Sequence, residues 1–128
     1  TAEEYMYLIR AVGWRKRDNI AIAAAMANSL YAICAEADAK CVGCGRVIGD
    51  EGLYYYISDL IVLPEFQRQG IGSSIIDRLN AWLEALPFKN TLVSLFPTKG
   101  FREFYESKGF VALKQHSPAM WRWLNEQV

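Results

Sequence analysis

The sequence is short of several things, and each shortage excludes something. Lys plus Arg number 14 and Asp plus Glu number 14, so there is no net charge. A broad electrostatic grip on nucleic acid is therefore not expected. No apolar run reaches the roughly 18 residues of a membrane helix. The longest stretch, Ile20 to Cys34, is interrupted by Asn28 and Ser29. The chain opens on Thr1, Glu3 and Glu4 rather than on a basic segment, so no signal peptide is expected. Cysteines number three, an odd count that argues against a disulfide framework and points to the cytoplasm. There is one histidine, His116, in a loop near the end of the chain, where a surface role is expected. No Ser/His pair is suggested. Repeats, linkers and low-complexity segments are missing as well.

What is present is a globular composition, 52% hydrophobic and 22% charged, which excludes an intrinsically disordered chain. At 128 residues one domain covering 1–128 is expected. Cys41 and Cys44 form a CxxC, and with Cys34 and His116 they count as a Cys3His zinc set. However, 41–44 reads as a strand, where an offset of three puts side chains on opposite faces. The expectation is small buried thiols and no metal site.

Thr1 and Glu4 fit a capping box, and Tyr5, Leu8, Ile9 and Val12 follow at helical spacing up to Gly13. Asp18 or Asn19 is placed to cap a second, Ala-rich helix over roughly 20–28. Ser29–Glu36 and Cys41–Ile48 read as hairpin strands around Ala37–Lys40, and Gly49–Gly52 is the strongest turn signal. Leu53–Leu63 reads as a central strand, apolar on both faces and stopped by Pro64. Gly70–Leu86 carries one apolar stripe from Ile71 to Leu86 and reads as a helix. Thr91–Phe96 follows as a buried strand, and Phe101–Lys108 as a short helix with Gly109 at the left-handed C′ position. Val111–Lys114 and Met120–Leu124 read as a closing hairpin around His116-Ser117-Pro118, with Trp121 and Trp123 alternating between faces. This order indicates an α/β chain in the α+β sense, with a mixed sheet and flanking helices.

The segment that carries chemistry is Gln67-Arg68-Gln69-Gly70-Ile71-Gly72-Ser73, between the central strand and the amphipathic helix. Amides at a helix start have no intrahelical acceptor, and the helix dipole adds positive charge. Gly70 and Gly72 allow close approach of a ligand, and Arg68 adds a mobile cation. The pattern suits a phosphate or pyrophosphate. It lacks the Gly-Lys-Ser/Thr ending of a Walker loop. It has Ile75 where a dinucleotide fingerprint places its third small residue. A glycine-rich helix cap without a ligand stays open on these residues alone. Asp59 is an acid inside an apolar strand, which is costly unless partnered or functional. A carboxylate capping backbone groups or pairing with an arginine is the alternative. Arg15, Lys16 and Arg17 read as a solvated turn.

The run from Asp59 through Val62-Leu63-Pro64 to Gln67-Arg68-Gln69-Gly70-Ile71-Gly72 resembles the main signature of the GNAT N-acetyltransferase superfamily. A second match, Phe104-Tyr105-Glu106-Ser107-Lys108-Gly109-Phe110, places Tyr105 33 residues after Gly72 and resembles that family's FYE-x-x-GF segment. By element order the likeness covers roughly 29 to 124.

The resemblance implies a mostly antiparallel sheet in which two neighbouring strands, the family's fourth and fifth, splay apart around acetyl-CoA. It implies that backbone amides of Arg68, Gln69, Gly70, Ile71, Gly72 and Ser73 hold the pyrophosphate. Backbone groups near Ile61, Val62 and Leu63 would pair with the pantetheine arm. Acetyl would pass directly to a primary amine of a small molecule or protein, with no acyl-enzyme and no metal. Tyr105 matches the family's general acid, and Asp59 is the candidate base or amine anchor. The acceptor pocket would lie between the first two helices and the hairpin, with Trp14, Tyr31, Tyr54 and Tyr56 as possible walls. No nucleic acid or membrane partner is expected, and a homodimer is possible. The family's fold begins with a strand before the first helix, whereas this sequence opens at that helix's cap: either the chain is a trimmed product or the strand is absent, and only in the second case is one sheet edge expected to be open. The competing reading is a catalytically silent acyl-CoA-binding module, sensing or regulatory, and a third is a structural zinc protein.

Overall fold

A computed structural model describes residues 1–113, 119, 120 and 122–125. Two compact units make up the chain, Thr1–Phe96 and Pro97–Val128, and each is described by itself.

In the first unit, helix α1 (Ala2–Ala11) starts at the Thr1/Glu4 capping box and helix α2 (Asn19–Ala27) at Asp18, whose carboxylate accepts from the Ile20 and Ala21 amides. Strand β1 (Tyr31–Ala37) turns through Asp38 and Ala39, both at positive φ, into β2 (Lys40–Gly49). Asp50 then accepts from the amides of Gly52, Leu53 and Tyr54 and turns the chain into β3 (Tyr54–Val62). A single 3-10 turn, Pro64–Phe66, leads to helix α3 (Ile71–Glu84) and then to β4 (Leu92–Ser94). The sheet order is β1-β2-β3-β4, antiparallel except for the parallel β3–β4 pair.

Helices α1 and α2 lie on one face of the sheet and α3 on the other. Tyr5, Leu8, Ile9 and Ile22 pack with Val42, Ile61 and Leu63 on the first face. On the second, Ile75, Ile76 and Leu79 are fully buried, and Trp82 stacks flat on Tyr31 with ring centroids 5.4 Å apart. Fully burying one such aliphatic side chain contributes about 1.5–3 kcal/mol. Close approach of α3 depends on Gly43 and Gly45 in β2. A Cβ at Gly45 would stand 2.7 Å from the Ile75 side chain, and one at Gly43 2.9 Å from the Ile61 carbonyl. The glycines of Cys41-Val42-Gly43-Cys44-Gly45 thus serve helix packing.

Three expectations are corrected in this unit. The strand expected over Thr91–Phe96 is three residues long, and it is not buried: Leu92 and Phe96 are exposed. It pairs with β3 on one side only among the described residues, so one face and one edge stay open. Cys34 and Cys41 are not free thiols but are joined by a disulfide, and Cys44 alone is free. Nor do Cys41 and Cys44 diverge. The register passes from Ala35↔Gly43 to Glu36↔Cys41, which leaves Val42 as an extra residue. That bulge shifts the alternation by one, and all three cysteines line the same cavity.

In the second unit, helix α4 is Arg102–Glu106. Gly109 has φ +96°, its amide donates to Glu106 O, and the Phe110 amide donates to Tyr105 O. That is the left-handed Schellman stop expected at this glycine. Among the described residues the expected closing hairpin is not seen. Val111–Leu113, Met120 and Arg122–Leu124 carry no strand, and Val111, Leu113, Met120 and Leu124 are exposed. Lys114, the His116-Ser117-Pro118 turn and Trp121 lie outside the described residues.

Candidate functional site

The β3–β4 ladder consists of Tyr54↔Leu92, Tyr55↔Val93 and Tyr56↔Ser94 and ends there. Ile57 to Val62 continue without a ladder partner on that side among the described residues. Which backbone groups face the gap follows from the other edge. The Leu63 amide donates to Val42 O at 2.8 Å, so Leu63 turns its backbone toward β2. Alternation then turns that of Val62 toward the gap and that of Ile61 back to β2. The side chains of Ile61 and Leu63 are buried in the α1 cluster. Of the three residues expected to offer backbone groups, Val62 is the one so oriented, and its carbonyl accepts from Gln67 Nε2 at 2.9 Å.

The gap leads into the glycine turn. Arg68 and Gly70 both have positive φ, +62° and +82°, so the chain doubles back before α3. Gly70 is the N-cap and offers no side chain to the first amides. The first bond of the helical ladder is Ser74 N to Gly70 O, so Ile71 and Gly72 precede it. A Cβ at Gly72 would touch only Val62 Cγ2, at 3.7 Å. The space beside Gly72 is therefore open, which fits a diphosphate resting on amides at the positive end of α3. Gln69 Nε2 reaches Glu65 O at 3.4 Å and, with Gln67, ties the turn to the end of β3.

Asp59 sits where β3 is irregular. Arg46 pairs with Ser58 and Cys44 with Ile61, so Asp59 and Leu60 together oppose Gly45. Asp59 has φ +57°. Its carboxylate accepts from Tyr5 OH at 3.0 Å and from Arg46 Nε at 2.7 Å, with side chains only 10% and 14% exposed for Asp59 and Arg46. Arg46 also donates to Ser29 Oγ at 3.3 Å. Burial and the adjacent Asp59 charge push the Tyr5 hydroxyl well above the ordinary phenol range. The Cys44 thiol, which donates to the Asp59 carbonyl, is raised to about 12, first by burial and then by Asp59. The sequence reading left pairing with an arginine open for Asp59, and Arg46 is that arginine. Arg46 is not singled out by the sequence, and Tyr5 stands there only in the helical apolar spacing; in the structure Tyr5 is both part of the core cluster and a donor to Asp59. An arginine inside the apolar run Cys41–Ile48 is the same kind of anomaly as Asp59, and two opposite charges in adjacent strands signal a pair.

Beside this pair, between α1 and the strands, opens a cavity of about 150 Å³ lined by Tyr5, Leu8, Met26, Cys44, Arg46 and Asp59 among others. The four aromatic residues expected as acceptor walls lie elsewhere. Tyr31 stacks on Trp82, Tyr56 meets Phe96 edge-on, and Tyr54 and Trp14 are 60% and 37% exposed. In the second unit, Tyr105 meets Phe104 and Phe110 edge-on, with centroids at 5.0 Å and 6.2 Å.

Comparison with known proteins adds to this geometry. The family model for the acetyltransferase (GNAT) domain matches residues 28–112, more than half of the chain. A relative named an uncharacterized N-acetyltransferase, ycf52, of Pyropia yezoensis is 30% identical over 84% of this chain and 63% of its own length. The chain thus spans less than two thirds of the curated relatives it matches first. Among solved structures, a probable acetyltransferase of meticillin-resistant Staphylococcus aureus superposes with a TM-score of 0.90 at 27% identity, over 97% of this chain and 93% of that one. A GNAT family acetyltransferase of Streptococcus pneumoniae superposes with a TM-score of 0.79 at 31% identity, over 99% and 92%.

Proposed function

Because the chain belongs to the GNAT acetyltransferase family, we propose that it moves an acetyl group from acetyl-CoA directly to a primary amine of a small molecule or protein. The observation that carries the reading is the continuity of gap and turn. A β3 edge that, among the described residues, has no ladder partner past Tyr56 leads through the Pro64–Phe66 turn to the glycine turn at the start of α3. An extended amide-bearing arm ending in a diphosphate has the complementary order of parts.

In this reading the turn from Arg68 to Ser73 holds the diphosphate, with Arg68 as the added cation. Val62, flanked by Ile61 and Leu63, offers backbone groups to the arm. Placing the thioester against a bound amine raises its effective concentration, which is the main service a direct transfer needs. The amine lone pair forms the new C–N bond, and the C–S bond breaks with its electron pair going to sulfur. The thiolate takes a proton from the Tyr105 hydroxyl, and the proton that the amine gives up as it becomes an amide passes through solvent water to restore that hydroxyl. The assignment of Tyr105 rests on the Phe104–Phe110 motif. The cavity beside Asp59 is our candidate for the acceptor, in place of the four exposed or core aromatics.

Calorimetric titration with acetyl-CoA, with NADH and ATP as controls, tests the reading. Selective binding of acetyl-CoA is expected, followed by thiol release in a panel of amines. Failure to bind acetyl-CoA sinks the proposal. Binding without release to any amine favours the silent acyl-CoA-binding module.

A further inference from the structure

Asp59 combines three features that a free catalytic base does not need. It has a left-handed backbone in the middle of a strand, where a residue with a Cβ is strained. Both of its carboxylate oxygens are engaged, one by α1 through Tyr5 and one by β2 through Arg46. Its carbonyl accepts from Cys44, also on β2. Three contacts from two elements hold one strained residue.

The bulge they hold has a consequence for every residue that follows. Before it, Tyr55 faces α3 and meets Trp82 edge-on. At the bulge, Asp59 faces Tyr5 of α1, and Leu60 approaches the α3 side, where a Cβ on Gly45 would meet it at 3.4 Å together with Ile75 and Leu79. After it, Ile61 and Leu63 are in the α1 cluster. Without the extra residue the alternation would reverse and Ile61 would exchange its face with Val62. The backbone groups exposed at the gap would then be different ones.

We propose that Asp59 is a positioning residue: the Tyr5–Asp59–Arg46 network locks the β3 bulge and thereby sets which backbone groups of Leu60–Leu63 face the acetyl-CoA arm. The inference rests on the acetyl-CoA reading above. It assigns Tyr5 and Arg46 to donor binding at a distance, and it removes Asp59 from proton transfer.

The test compares wild type with Asp59→Asn and Tyr5→Phe. Asparagine keeps the size and the tolerance of positive φ but loses the charge. Phenylalanine removes one hydrogen bond and leaves the packing. Three readouts are taken: acetyl-CoA dissociation constant, pH–rate profile, and hydrogen exchange of the Leu63 amide, which bonds Val42 O. Positioning predicts acetyl-CoA affinity weaker by about tenfold in Asp59→Asn and about threefold in Tyr5→Phe, from the loss of charged and neutral hydrogen bonds to a buried group. It predicts faster exchange at Leu63 in both, with the acid limb of the pH–rate profile unmoved. A base role would instead leave affinity and exchange unchanged in Asp59→Asn while kcat collapses and the acid limb disappears, and that result overturns the inference. Unchanged affinity and exchange in a folded Tyr5→Phe overturn it as well, which keeps the test decisive if Asp59→Asn does not fold. A wild type that binds no acetyl-CoA refutes the parent reading, an outcome visible before any variant is made.

Discussion

Gly45 of β2 lies under Ile75 of α3 so closely that a single added methyl would stand 2.7 Å from Ile75 Cγ2 and 3.0 Å from Leu79 Cδ1. Both neighbours are buried in the core. Gly45→Ala is expected to destabilise the fold by about 1–3 kcal/mol through overpacking, more than the few tenths to 1 kcal/mol that alanine returns by restricting the unfolded chain. Urea denaturation measures this. Stability equal to or above wild type would contradict the packing described.

Gly72 is the opposite case. A Cβ there meets only Val62 Cγ2 at ordinary contact distance, and φ is not in the left-handed region. Gly72→Ala is expected to leave the melting temperature unchanged or slightly raised, since alanine is the better helix former. If the turn cradles a diphosphate, the same methyl intrudes on the ligand, and acetyl-CoA affinity falls by about tenfold or more. Equal affinity would make the glycine a helix start and nothing else.

Tyr105→Phe removes one hydroxyl and keeps the ring that meets Phe104 and Phe110. A general acid contributes about 10²–10⁴ in rate. The expected result is a kcat loss in that range with acetyl-CoA affinity within about twofold of wild type. Thiol-release kinetics and calorimetry on the same protein separate the two quantities. Full activity in the variant would assign the proton to another group.

Alkaline pH is expected to weaken the fold. The Cys44 thiol is raised from 9.0 to about 12, mainly by burial, and the Tyr5 hydroxyl is raised from 10.0 by burial and by Asp59. Both groups therefore keep their protons longer in the folded chain than in the unfolded one. Their contribution is fully present below about pH 9 and is lost as pH rises through the folded values, by up to about 1.4 kcal/mol per pH unit for each group. Urea midpoints between pH 9 and 12 read this decline, and it should flatten in a Tyr5→Phe, Cys44→Ala double variant. A wild-type stability that holds level across that range would show that neither proton is retained by the fold.

Much of the molecule is legible along the chain. The capping box at Thr1 and Glu4, the Asp18 cap, the Asp38–Ala39 and Asp50–Gly52 turns and the Gly109 stop are each a local geometry with a local chemical signature. The glycine turn before α3 is of the same kind, and with the Phe104–Phe110 segment it was sufficient to suggest the family that the comparisons show. These features depend on a few consecutive residues, so their order in the chain contains them.

The errors fall where non-neighbours decide. Thr91–Phe96 is apolar enough for a buried strand, yet only three residues pair, because the length of a ladder depends on how far a partner strand stays alongside. The cysteine faces were misjudged because the Val42 bulge, invisible in the spacing, shifts the alternation. Asp59 shows the division most clearly. Its type and its apolar strand marked it as unusual in the sequence alone. Whether it stands ready for a proton or is committed to Tyr5 and Arg46 depends on residues 54 and 13 positions away. Strand register and helix docking bring those groups within 3 Å, and no local property of the chain contains that distance.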